Sequence, residues 1–75
     1  MQTTDFIVHI NETLNTAALG SIEDDIRKTP GVVSAGHRSD TPHLVQVIYD
    51  SDETRMADIV SDVRQHGLHA QAIGL

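Results

Sequence analysis

The chain contains no cysteine. That absence excludes disulfide bridges, thiolate metal ligands and thiol redox chemistry together, so the fold rests on its apolar core alone. Positive charge is scarce. Five Lys and Arg stand against 11 Asp and Glu, for a net charge of -6. A nucleic-acid binder needs a basic face for phosphates, and a polybasic membrane-surface protein needs a similar one. Neither partner is expected, and the balance favours cations. Long hydrophobic runs are missing too: no stretch approaches the roughly 20 apolar residues of a membrane span. Met1 to Phe6 has neither the basic start nor the apolar stretch of a signal peptide. A cytoplasmic location is therefore expected. Hydrophobic residues make up 39% of the 75 positions, below the roughly 45–50% usual for a soluble domain. One small domain over residues 1–75 is expected, burying about 60% of the unfolded chain's surface. Histidine is the abundant exception, with five copies.

Six elements follow one another. Phe6, Val8 and Ile10 alternate in a β-rich first strand, Phe6 to Ile10. Asn11, Thr13 and Asn15 are candidate helix caps, with Glu12 placed to meet the helix dipole. Leu19, Ile22 and Ile26 recur at helical spacing, with Glu23–Arg27 and Asp24–Lys28 as i,i+4 pairs on a solvated face. Thr29-Pro30-Gly31 ends this helix. Val32 to His37 reads as the second strand, Arg38 to Pro42 as a turn, and His43 to Tyr49 as the third strand. Asp52 or Thr54 caps a second helix with the stripe Met56, Ile59, Val60 and Val63. Gly67 is its expected C-terminal stop, His66 meets the dipole there, and Leu68 to Ile73 forms the fourth strand. The order βαββαβ predicts an α+β, ferredoxin-like sandwich: a four-stranded antiparallel sheet with two helices on one face.

With these residues in place the chain resembles the heavy-metal-associated domain, the fold of copper chaperones and of the N-terminal modules of metal-pumping ATPases. The resembling residues are Leu19, Ile22 and Ile26, then Pro30-Gly31-Val32, then Leu44 to Asp50, and finally Gly67-Leu68-His69-Ala70. The likeness runs from Phe6 to Leu75, and it implies a small metal-binding protein that buffers or delivers an ion. The family usually carries a Met-x-Cys-x-x-Cys loop. Counting back from Gly31, its cysteines fall near Asn15 and Ala18, which supply no thiolate. The linear two-sulfur Cu(I) site is therefore not carried over.

Histidine is the remaining donor. The topology gathers the end of the first strand, the hairpin and the turn before the fourth strand at one end of the sheet, where the resemblance places a metal. Two pairs are predicted there. His37 and His43 face each other across the hairpin if Arg38 to Pro42 is the turn. His9 and His69 lie on neighbouring strands, turned away from the core. These nitrogens suit Zn, Cu(II) or Ni rather than Mg or Ca, with Glu12 or Asp40 as an added oxygen ligand. His66 reads as a dipole cap rather than a ligand. Asp50 to Glu53 reads as a helix cap, since it lacks the spaced oxygens and central Gly of a calcium loop.

Ile7, Leu44, Ile48 and Ile73 fall on the sheet face without helices, a patch that predicts a homodimer or a protein partner. No nucleophile arrangement or phosphate loop is present, so an enzyme is not expected. Two functions stand on the sequence: a metal-binding domain with His ligands, or a non-catalytic interaction or dimerisation module that has lost the metal site.

Overall fold

The computed structural model describes residues 2–73. Six elements run in the order β1 (Thr3–Ile10), α1 (Thr16–Lys28), β2 (Val32–His37), β3 (Leu44–Asp50), α2 (Met56–Arg64) and β4 (Ala70–Ile73). The strands form one antiparallel sheet ordered β2-β3-β1-β4. Each helix thus joins two strands separated by a third, which is the split βαβ arrangement of a ferredoxin-like sandwich.

Period-two alternation sets the layers. Phe6, Val8 and Ile10 of β1 and Val45, Val47 and Tyr49 of β3 are buried. They meet Leu19, Ile22 and Ile26 of α1 and Ile59, Val60 and Val63 of α2. Each large aliphatic side chain buried here contributes about 1.5–3 kcal/mol relative to exposure. Phe6 and Tyr49, the only aromatic residues besides histidine, meet edge to face with centroids 5.6 Å apart.

Local chemistry sets the helix ends. Asn15 is the N-cap of α1, its side chain accepting from Ala18 N–H at 2.8 Å. Thr29 closes α1, and Gly31 then turns the chain at φ +95°, a backbone region open to glycine. The cap of α2 is Arg55, without a side-chain bond, rather than Asp52 or Thr54. Asp50 instead ties the turn before α2 to the start of the chain, accepting from the backbone N–H groups of Asp52 and Gln2.

Three strand starts differ from the sequence reading, and β3 runs on to Asp50 rather than ending at Tyr49. β1 starts at Thr3, not Phe6, because Thr3 to Asp5 pair with Ile48 to Asp50. β3 starts at Leu44, since His43 belongs to the turn. β4 starts at Ala70, since Leu68 and His69 still follow the turn at Gly67, φ +80°.

Candidate metal centre

One end of the sheet collects the end of β1, the start of β3 and the chain entering β4. Ile10 N–H donates to His43 O, and Asn11 N–H donates to His69 O, each at 2.9 Å. His9, His43 and His69 lie at this end, but the histidines do not form the pairs expected from the sequence.

The expected opposition of His37 and His43 is not formed. Val45 lies across from His37. The hairpin closes through two successive turns, Thr41 N–H to Arg38 O and Leu44 N–H to Thr41 O. These take His43 out of the strand, and the pairing moves by two residues. His37 shares the helix-side face with Ala35, and its Nδ1 lies 2.7 Å from Glu23 Oε2. A carboxylate only accepts, so His37 donates. Glu23 is nearly buried, with a side chain 6% exposed.

The expected opposition of His9 and His69 is also not formed. Gln71 lies across from His9 in β4. His69 sits beside Asn11 instead, because β4 begins later. Its side chain is 82% exposed, and Nδ1 donates to Glu12 Oε2 at 2.7 Å. Glu12 also accepts the His69 backbone N–H. The ring hydrogen bond, followed by the backbone one, holds the Glu12 carboxyl below its usual range. Glu12 therefore fastens the loop before α1 to the start of β4, rather than meeting the helix dipole.

His9 and His43 are the rings that meet. Their centroids are 6.2 Å apart, with planes 24° apart. His43 Nδ1 donates to Ile10 O at 2.8 Å. His9 Nδ1 is buried and has no hydrogen-bond partner among the described residues. His66, read as a dipole cap, joins its Nε2 to Asp25 Oδ2 of α1 at 3.0 Å. A shallow hollow of about 370 Å³ beside His69 is bordered by Asn11, Arg64 and Gln71.

Glu23 was missed in the sequence. Its expected partner was Arg27, but Arg27 pairs with Asp24 and donates to Ala35 O. The signal was present: position 23 lies four residues after Leu19 and three before Ile26, inside the buried stripe. Asp24–Lys28 is likewise replaced by Lys28–Asp25. The other expected oxygen ligand, Asp40, pairs with Arg38 in the exposed hairpin turn. On the open face, Ile7 lies across from Ile73, with Leu44 and Ile48 on the adjoining strand.

Solved structures of similar shape exist. Oxidized MerP from Ralstonia metallidurans is 15% identical over 97% of this chain and 100% of that one, with a TM-score of 0.85. The N-terminal domain of a potential copper-translocating P-type ATPase from Bacillus subtilis, in its Cu(I)-loaded state, is 23% identical over 93% and 86%, with a TM-score of 0.82. A CopA variant from Bacillus subtilis, solved with copper, is 28% identical over 92% and 90%, with a TM-score of 0.75. The fold is that of the heavy-metal-associated domains. No protein-family model matches the chain, and no curated protein matches it in sequence.

The donor set of this heavy-metal-associated fold differs from a thiolate site. At the positions read as the family's cysteines stand Asn15, an amide already capping α1, and Ala18, a methyl group. Neither fits soft Cu(I) ligation. Among the described residues, no three His, Asp or Glu side chains cluster to enclose an ion. What the end of the sheet offers is imidazole nitrogen, in ones and twos. No helix among the described residues is long and apolar enough to cross a membrane.

Proposed function

We propose that this chain is a small metal-binding domain of the heavy-metal-associated fold that ligates through imidazoles in place of thiolates. The ligand pool is His37, His43, His9 and His69. Its role is to bind, buffer or deliver a borderline divalent ion, Zn, Cu(II) or Ni, rather than to catalyse a reaction.

The state of the rings carries this reading. His37, His43 and His69 each donate Nδ1–H to an oxygen acceptor, respectively Glu23, Ile10 O and Glu12. In a neutral ring that leaves the Nε2 lone pair uncommitted. Metal-ligating histidines almost always give their other N–H to a carboxylate or carbonyl, which orients the ring and raises its basicity. The net charge of -6 adds a field that favours cations. The open-face patch of Ile7, Leu44, Ile48 and Ile73 supports self-association as part of the same proposal; sedimentation with and without metal measures it.

The test is uptake of Zn, Ni and Cu(II) by the chain and by a variant with His9, His37, His43 and His69 all changed to Ala. Saturable uptake near one equivalent, lost in the variant, is the expected result. Equal uptake by both chains would contradict the imidazole reading.

A further inference from the structure

We infer that His9 and His43 together form the ion site, a two-nitrogen centre at the junction of β1 and β3. This rests on the metal-binding reading above and names the pair within it.

The first support is spacing. A ligating nitrogen lies about 2.0–2.1 Å from such an ion, which puts the centres of two rings sharing it about 5–6.5 Å apart. The two rings stand 6.2 Å apart with planes 24° apart, so ligation turns the His9 ring toward the clasped His43 until both nitrogens point at the ion. Among the histidine rings of the described residues, theirs is the contact that brings two together. The bonds of His37 to Glu23 of α1 and of His69 to Glu12 of the loop before α1 leave each Nε2 free but hold these rings apart from a second imidazole.

The second support is preorganisation. His43 is fastened to Ile10 twice: its carbonyl accepts Ile10 N–H at 2.9 Å, and its Nδ1 donates to Ile10 O at 2.8 Å. Ile10 follows His9 directly, so the clasp that fixes the His43 ring also fixes it against His9. Little freedom is left to lose when an ion arrives. The clasp also settles which His43 nitrogen is free, since a carbonyl only accepts and Nδ1 must carry the proton.

The third support is the unpaired atom. His9 Nδ1 is buried without a hydrogen-bond partner. Native folds rarely leave such an atom unsatisfied, and a bound ion is one of the groups that accounts for one. Both residues are only half-buried, so other atoms of each residue reach solvent while His9 Nδ1 itself is covered. Two protein nitrogens leave the remaining positions of a four-coordinate ion to water or to a receiving ligand. The centre is therefore open, and it suits an ion that is handed on rather than held.

The experiment records long-range proton–nitrogen spectra of the imidazoles while the whole chain is titrated with Zn. The parent is compared with His9→Ala, His43→Gln, His37→Ala and His69→Ala. Glutamine at 43 keeps an N–H for Ile10 O, and amide spectra verify that each variant is folded. The expected result is a large ring-nitrogen shift at His9 and His43, and apparent affinity at least about tenfold weaker in His9→Ala and His43→Gln. His37→Ala and His69→Ala should stay within about threefold of the parent. Uptake that moves the rings of His37 or His69 instead, or that survives His9→Ala or His43→Gln, overturns the pair and leaves the metal-binding reading standing. No saturable uptake by the parent sinks both.

Discussion

Asn15 Oδ1 accepts the backbone N–H of Ala18 at 2.8 Å. These two residues stand where the resemblance places a pair of thiolates, and here they serve to start a helix. The cap satisfies one of the otherwise unpaired amide groups of the first turn. The loop sets the start of α1 and carries no soft-metal ligands.

That relationship gives the first prediction. Asn15→Ala should destabilise the fold by about 1 kcal/mol, seen as a lower urea midpoint. Replacing Asn15 and Ala18 together by Cys should create Cu(I) uptake that the parent lacks, because it places the thiolates of the family's loop on a heavy-metal-associated fold. A folded double variant that takes up no Cu(I) would show that the loop differs in more than its side chains.

The Glu23–His37 contact joins α1 to β2 in a nearly buried setting. His37→Ala leaves a buried carboxylate without its partner and should cost about 1.5–3 kcal/mol. Changing both residues together, His37→Leu with Glu23→Leu, should cost less than His37→Ala alone, since it removes the unpaired group. Denaturant midpoints of the three chains decide this.

Acid should loosen two named places. Glu12 is held below the usual carboxylate range by the His69 ring and then by the His69 backbone N–H. Asp50 is held low by the backbone N–H of Asp52 and then by that of Gln2. A carboxyl with a depressed folded pKa contributes stability that is present above its unfolded pKa, about 4 for both residue types, and lost as pH falls through the folded value. Stability should therefore decline below about pH 4. Glu12→Gln should flatten part of that decline. Unfolding curves of both chains between neutral and strongly acid pH provide the measurement.

Two glycines should respond in opposite directions. At Gly31 the backbone has φ +95°, and an added Cβ would stand 2.9 Å from Glu53 Cβ. Gly31→Ala should cost about 1–3 kcal/mol. At Gly20, within α1, an added Cβ meets nothing within 4 Å. Gly20→Ala should stabilise by about 0.4–1 kcal/mol. Melting temperatures read both signs.

The element order βαββαβ and both helices were legible in the sequence because the elements follow from periodicity. Val45, Val47 and Tyr49 alternate without interruption, and Ile59, Val60 and Val63 repeat at helical spacing. The start of β1 was hidden because Thr3, Thr4 and Asp5 carry no apolar signal and become strand only through their partners on β3. The histidine pairs were misread for a related reason. Register across a hairpin depends on the turn, and the double turn from Arg38 to Leu44 places His43 against Ile10 instead of His37. The His9–His43 meeting needed the pairing of Val8 with Val45, which sets His9 across from Leu44, next to His43. Glu23 was misread because its charge outweighed its place in the buried stripe.

The central claim is that imidazoles on this fold bind a borderline ion. Calorimetric titration of the intact chain with Zn at pH 7.5, repeated at pH 5.5, tests it most directly. An imidazole ligand must be neutral to bind, so protons compete with the metal as pH falls through the range where histidine ordinarily titrates, near about 6.5. The account predicts saturable binding of one ion per chain at the higher pH, at least about tenfold weaker at the lower one. Heat no different from dilution at pH 7.5, or binding of equal strength at both pH values, would contradict it.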